Sequence, residues 1–329
     1  MSPLLIAVIV ASFVFDYTNG FHDAANAIAT SISTRALKPR TALAMAAVLN
    51  LVGALLSTSV AATVAKGLVD PTVVTLETVF GGLVGAVAWN LITWWWGLPS
   101  SSSHCLLGGV VGAVLGAYGN AGVNWSVIAE KVLLPTVTSP VVGFVMGGIL
   151  VVVMSWLVRR WTPARVQRNF RRMQTVSAAL MSLSHGQNDA QKTMGVILLA
   201  LIAGHQLPAN ADVPTWVIVG CAAAMSLGTY AGGKRIIKTL GMRLVALRPI
   251  DGFAAETASA AVLFTTGQLG FPVSTTHVIT TAVLGVGATQ NVRGVRWGLG
   301  QRIVIAWLMT FPAAGAMGAL VAYLLNRYA

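Results

Sequence analysis

Two octapeptides constrain this chain more than any other feature: Gly97-Leu98-Pro99-Ser100-Ser101-Ser102-Ser103-His104 and Gly270-Phe271-Pro272-Val273-Ser274-Thr275-Thr276-His277. Each closes a long apolar run with Gly and Pro, presents a row of hydroxyls, and opens a new apolar run at His. Gly and Pro stop a helix, and Ser or Thr restarts one. A second pair, Gly20-Phe21-His22-Asp23-Ala24 and Gly186-Gln187-Asn188-Asp189-Ala190, repeats polar residues inside apolar surroundings. The pattern is that of a duplicated membrane unit whose helices break around polar residues, as transporter sites do.

Hydrophobic residues make up 56% of the chain and charged ones 9%, against about 25% charged in an ordinary soluble domain. The apolar runs reach the ~18–20 residues that span a bilayer, and glycine is abundant, as where helices pack closely in lipid. The expected fold class is an all-α polytopic membrane protein with no separate soluble domain. The first apolar segment begins at residue 3 without a basic stretch and carries Asp16, Asn19, His22 and Asp23. It therefore reads as a functional helix rather than a cleaved leader.

A net charge of +12 would suit a nucleic-acid partner, but its placement argues against one. Most of the basic residues fall in four groups: Arg35 to Arg40, Arg159 to Arg172, Lys234 to Arg248, and Arg293 to Arg302. Placing all four in the cytoplasm satisfies the positive-inside rule. The partner implied is the lipid bilayer, in the plasma membrane, with the N-terminus outside. Cys105 and Cys221 lie in apolar stretches without metal-ligand spacing and read as buried thiols.

These loops define a path. Residues 2–33 cross inward, interrupted near Gly20, and 41–65 return. Residues 74–96 enter, break at Pro99, and leave as 104–118, a re-entrant hairpin spanning 74–118. Residues 127–158 cross inward. After a basic cytoplasmic linker at 159–173, residues 174–203 cross outward, interrupted near Gly186, and 214–231 return. The second hairpin occupies 252–290, and 297–325 cross outward. Residues 1–158 and 174–329 thus form two inverted-topology repeats, each with a broken helix, spanning helices and a re-entrant helical hairpin.

The hydroxyl rows carry the first chemistry. A helix start offers unpaired N–H groups and the positive end of its dipole, and Ser and Thr add donors. Two such tips facing each other, Ser101, Ser102 and Ser103 opposite Ser274, Thr275 and Thr276, make a donor cage for a tetrahedral oxyanion without a clamp of arginines. Read singly, each row is an ordinary N-cap; the duplication favours an anion site. Asp23, Asp189, Glu77 and Glu256 are carboxylates within or beside membrane segments, where an ionised Asp costs roughly 2.5–3.5 kcal/mol. They call for a cation, a proton or a cavity, and an anion carried into a negative interior needs co-transported positive charge. Glu77 and Glu256 do not share the spacing of the other pairs. Asn26 and Lys192 follow the two Asp residues at matching positions; a salt bridge from Lys192 to Asp189 or Asp23 is favoured over direct contact with the anion. Asp16 lines an access path or ends an interfacial helix. His104 and His277 orient a neighbour, relay a proton or cap a helix.

Gly20-Phe21-His22-Asp23-Ala24-Ala25-Asn26-Ala27 and Gly186-Gln187-Asn188-Asp189-Ala190 resemble the duplicated G-x-N-D-x-A-N signature of the inorganic phosphate transporter family. Pro99–His104 and Pro272–His277 resemble its P-[VS]-S-[ST]-[ST]-H elements. The resemblance covers nearly the whole chain. It implies a secondary phosphate symporter and a homodimer, with the six hydroxyls around phosphate and with Asp23, Asn26, Asn188 and Asp189 at the cation and substrate positions. His22 stands where sodium-coupled members have Asn, and Lys192 where the first repeat has Asn26. Both departures resemble the bacterial low-affinity, proton-coupled branch, so H⁺ is favoured over Na⁺. In that branch the cargo is a metal–phosphate complex, which puts a divalent metal with the substrate and no metal or cofactor in the protein. The alternatives are a sulfate permease and an anion channel. An intramembrane serine hydrolase is disfavoured, because adjacent Ser and His at a helix start rarely point at each other and an enzyme needs no inverted copy.

Overall fold

The computed structural model describes residues 1–71 and 73–328. Every named element among them is helical; the one strand-like pairing is an isolated bridge between Val69 and Val123. In chain order the helices are α1 (Pro3–Ser33), α2 (Pro39–Ala54), α3 (Ser59–Lys66), α4 (Leu76–Trp96), α5 (Ser102–Tyr118), α6 (Trp125–Val127) and α7 (Leu134–Leu157), the last two joined by a π-helical turn. They continue as α8 (Pro163–Ala203), α9 (Thr215–Ala231), α10 (Lys234–Lys238), α11 (Pro249–Gln268), α12 (Thr275–Asn291) and α13 (Trp297–Tyr328).

Helices α1 and α8 form the axis of the molecule, packed antiparallel. Leu5 lies against Gly204, the Thr193 hydroxyl donates to Asp16 at 2.7 Å, and the Thr34 hydroxyl donates to Gln174 at 2.7 Å. Around this axis the two hairpins, α4–α5 and α11–α12, are clasped crosswise. Helix α13 packs on α4 and α5, while α7 packs on α11 and α12. Small residues allow these close approaches. A Cβ at Gly112 would sit 2.3 Å from the Gly315 backbone, and one at Gly285 would sit 2.0 Å from the Phe144 carbonyl.

The structure corrects two expectations. Helices α1 and α8 are continuous through Gly20 and Gly186. Those glycines admit neighbouring backbone instead: a Cβ on Gly20 would lie 2.3 Å from the Met225 carbonyl oxygen, and one on Gly186 would lie 2.2 Å from that of Asn50. The bends fall one helix later in each half, where α2 meets α3 at 68° and α9 meets the segment Lys234–Arg243 at 60°. Second, α8 begins at Pro163, so most of the segment expected as a basic linker is helix. The Thr162 hydroxyl caps it by accepting from the Arg165 N–H, and arginine is itself a good helix former. Hydropathy marks the lipid-facing part of a helix, not its end.

Substituting Gly186 with Ala drives a methyl into the α2 backbone. The variant is expected to lose about 1–3 kcal/mol of stability. Thermal melting of the purified protein checks this; an unchanged midpoint would mean that α2 and α8 are free to separate.

Local geometry recurs between the halves. After α1, Arg35 N–H bonds the Ile32 carbonyl, and Ala36 and Leu37 both bond that of Ser31. After α8, His205 bonds Ile202, and Gln206 and Leu207 both bond Leu201. Arg35 and His205 are the two non-glycine residues with positive φ among those described, at 58° and 54°. The hairpin turns match too. Gly97 and Gly270 stop α4 and α11 at φ of 67° and 73°, in the left-handed region glycine favours. Beyond them, Ser100 N–H bonds Leu98 and Val273 N–H bonds Phe271, each at 2.8 Å.

Candidate functional site

The two hairpin tips meet mid-way along α1 and α8, and each hydroxyl row divides by position. Ser101 and Ser274 serve as N-caps, accepting from the His104 and His277 N–H groups at 3.1 and 3.3 Å. Ser102, Ser103, Thr275 and Thr276 point to the axis. Ser102 donates to Asp23 Oδ2 at 2.5 Å, and Thr275 donates to Asp189 Oδ2 at 3.1 Å. The Asn26 amide donates to the Thr275 and Thr276 hydroxyls at 3.2 and 2.9 Å. Lys192 donates to Ser103 at 2.5 Å, to the Val273 carbonyl at 2.9 Å, and to Asp189 in a closer ion pair. One lysine therefore ties both tips to α8.

Around Asp23 the partners are different. His22 Nδ1 lies 2.6 Å from Asp23 Oδ1, and its Nε2 lies 3.2 Å from the Thr93 hydroxyl and 3.3 Å from that of Ser100. Asp189 also meets His185 Nε2 at 3.2 Å. Asp23, His185 and Asp189 each bring one ligand atom within 4.8 Å of the others, and all three are buried. Sequence reasoning passed over His185, although it stands one turn before Asp189. Thr93 and Ser100 were also missed; the first sits in a tryptophan-rich helix end and offers no local signal.

Asn188 is buried with neither amide atom hydrogen-bonded, and the same holds for Gln187. Asn26 Oδ1 is likewise without a partner. Buried polar groups are nearly always satisfied, so this knot of orphans beside the tips is a candidate set of contacts for a polar ligand.

Glu77 and Glu256 do not join this cluster. Glu77 is half-buried in the first turn of α4, which helix rise puts about 30 Å from the Gly97 turn. Glu256 is fully buried in a separate cluster, accepting from Thr30 and Ser177 at 2.5 Å each and from Gln174 at 3.1 Å. Its donors come from α1 and α8, two helices remote from it in sequence. Behind the tips, His104 and His277 face each other with ring centroids 4.8 Å apart, and His277 packs on Trp307 at 4.0 Å. His104 Nε2 bonds Thr136 at 3.0 Å, and its contact with the serine row is the backbone cap. The neighbouring serines therefore form no nucleophile–base pair with it.

Paired helical hairpins whose hydroxyl tips converge on buried carboxylates, within a sheath of membrane-length helices, define a membrane transport protein. The comparisons agree. Residues 19–318 match the model described as the phosphate transporter family, and the chain belongs to that family. It is 54% identical over 321 residues to a probable low-affinity inorganic phosphate transporter of Mycobacterium bovis, covering 96% of this chain and 76% of that one. It is 46% identical over 327 residues to the protein of the same description from Bacillus subtilis, covering 98% and 97%. A solved structure titled "The sodium-dependent phosphate transporter" superposes with a TM-score of 0.92 at 25% identity, over 100% of both chains. The chain is a phosphate transporter and not an enzyme.

Proposed function

We propose that the chain imports inorganic phosphate by proton symport, gripping the anion between Ser102 and Ser103 on one tip and Thr275 and Thr276 on the other. The observation that carries this reading is Lys192. Its ammonium is bound to Asp189 and to both tips. A resident cation already neutralises the carboxylate that would otherwise recruit Na⁺. Asp23 keeps His22 as its partner, and imidazole and carboxylate are both groups that can carry a proton. Asn26 and Asn188 supply neutral amide donors and acceptors beside the anion. A proton on the His22–Asp23 pair offsets charge that phosphate brings into a low-dielectric chamber.

The same site suits phosphate travelling with a divalent metal as cargo, with Asp23 and His185 facing the metal. Two inverted repeats, residues 1–158 and 174–329, are supported by the matched turns and the crosswise clasp. With the basic loops in the cytoplasm, the protein sits in the plasma membrane with its N-terminus outside, as a homodimer.

The test is phosphate uptake into proteoliposomes by the Ser102→Ala and Thr275→Ala variants. Each removes one hydroxyl of the cage, and KM is expected to rise about tenfold, the worth of a hydrogen bond to a charged group. An unchanged KM in both would reduce the rows to helix caps. Sulfate displacing labelled phosphate at equal concentration would favour a sulfate permease instead.

A further inference from the structure

At the end of α1 opens a cavity of about 620 Å³ lined by four arginines from separate segments. Arg35 follows α1, Arg159 follows α7, Arg171 lies on α8 and Arg248 precedes α11. Among the described residues only Arg248 has a carboxylate partner, Asp251. Arg159 stacks on Trp156, while Arg35 and Arg171 are exposed and pair with no acid. Arg35 holds its side chain here from a left-handed backbone conformation, fixed by the turn bonds to Ile32 and Ser31.

The cavity has a counterpart. Another, of about 690 Å³, is lined by Ile202 to His205 after α8 and by Val73 to Glu77 at the start of α4. Its lining shares with the first the turn after the axial helix and the start of a hairpin helix, and because α1 and α8 run antiparallel it opens at the opposite end of the molecule. It carries Glu77 and His205 in place of the arginines. The arginine end is joined to the tips by a row of polar side chains. Buried residues at four-residue spacing on α1, Thr34, Thr30, Asn26 and His22, form one face. Gln174, Ser177 and Glu256 bridge its lower half. On α8 the matching stretch toward the other cavity is apolar, through Val196, Ala200 and Leu201.

We infer that the arginine-lined cavity is a second binding site for a phosphate group. Arginine forks match phosphate oxygens bidentately, and unpaired guanidinium groups converging on one cavity favour a dianion. The group is either free phosphate, leaving the central chamber along the polar face, or the phosphomonoester of an anionic lipid. The first source rests on the transport reading above; binding of a phosphate group does not.

The probe is inorganic phosphate, read by phosphorus NMR line broadening in nanodiscs of phosphatidylcholine. Protein carrying Ser102→Ala and Thr275→Ala serves as background, so that the central contribution is small. Adding Arg35→Gln and Arg171→Gln is expected to weaken the remaining binding about tenfold or more. Adding Arg168→Gln and Arg172→Gln, with equal charge loss outside the cavity, should leave it unchanged. Doping the discs with phosphatidic acid separates the sources. Arginine-dependent binding that persists assigns the cavity to free phosphate, and binding that disappears assigns it to the lipid headgroup. Equal binding by the Arg35/Arg171 variant and its background, or equal loss in the Arg168/Arg172 control, would overturn the inference. Normal uptake by the Ser102/Thr275 background would instead sink the central-site reading and leave the cavity result standing.

Discussion

Asp23→Asn and Asp189→Asn are each expected to abolish gradient-driven phosphate uptake while the protein still inserts in the membrane. Asparagine keeps the size of aspartate and loses the charge. Asp23 accepts from Ser102 through one oxygen and faces His22 with the other, so the exchange leaves one acceptor oxygen for two partners and removes the negative charge. Asp189 accepts from Thr275 and pairs with Lys192 and His185. Losing a charge-assisted interaction of about 3 kcal/mol corresponds to uptake more than about a hundredfold lower. Uptake rates in proteoliposomes, normalised to inserted protein, measure the effect. Accumulation at wild-type level by both variants would remove the carboxylates from the coupling step.

Lys192→Asn is expected to act differently. It restores at Lys192 the residue type found at Asn26, and it strips Asp189 of its cation. Leaving a buried charge without its partner costs about 3–5 kcal/mol, so the variant should be markedly less stable in potassium buffers. Sodium then has a carboxylate and two amide side chains to bind, and NaCl but not KCl should raise the melting temperature. A ligand at a hundred times its Kd contributes about 2.7 kcal/mol, enough to recover much of the loss. Equal melting in the two salts would mean that Lys192 does not stand in for a sodium ion.

The membrane class, the helix order and the two hairpins were legible in the sequence because they depend on local signals. Apolar length marks spans, Gly97 and Gly270 mark stops, and a hydroxyl followed by a helical run marks a start. The grouping of polar residues at the candidate site was legible for a related reason: a charged or amide residue inside an apolar run needs a partner wherever it lies. Helix continuity was not legible. Gly20 and Gly186 beside polar residues look like breaks, yet each glycine answers to a helix more than a hundred residues away. Of the real bends, the one after Ala231 is marked by Gly232-Gly233, while the one after Ala54 lies in a stretch, Leu55 to Thr58, with neither Gly nor Pro. Glu77 and Glu256 show the same limit. Both are acids in the first half of a hairpin helix, and only the packing separates a half-buried helix-end residue from a carboxylate enclosed by Thr30, Gln174 and Ser177. The hydroxyl rows read as uniform because sequence does not distinguish a cap from a residue one step further into the helix.

The most direct test of proton-coupled transport through the paired tips is labelled-phosphate uptake into proteoliposomes with proton and sodium gradients imposed separately. An inward proton gradient in sodium-free buffer should drive accumulation above equilibrium, with no further gain from sodium. Accumulation that requires sodium and ignores the proton gradient would contradict it.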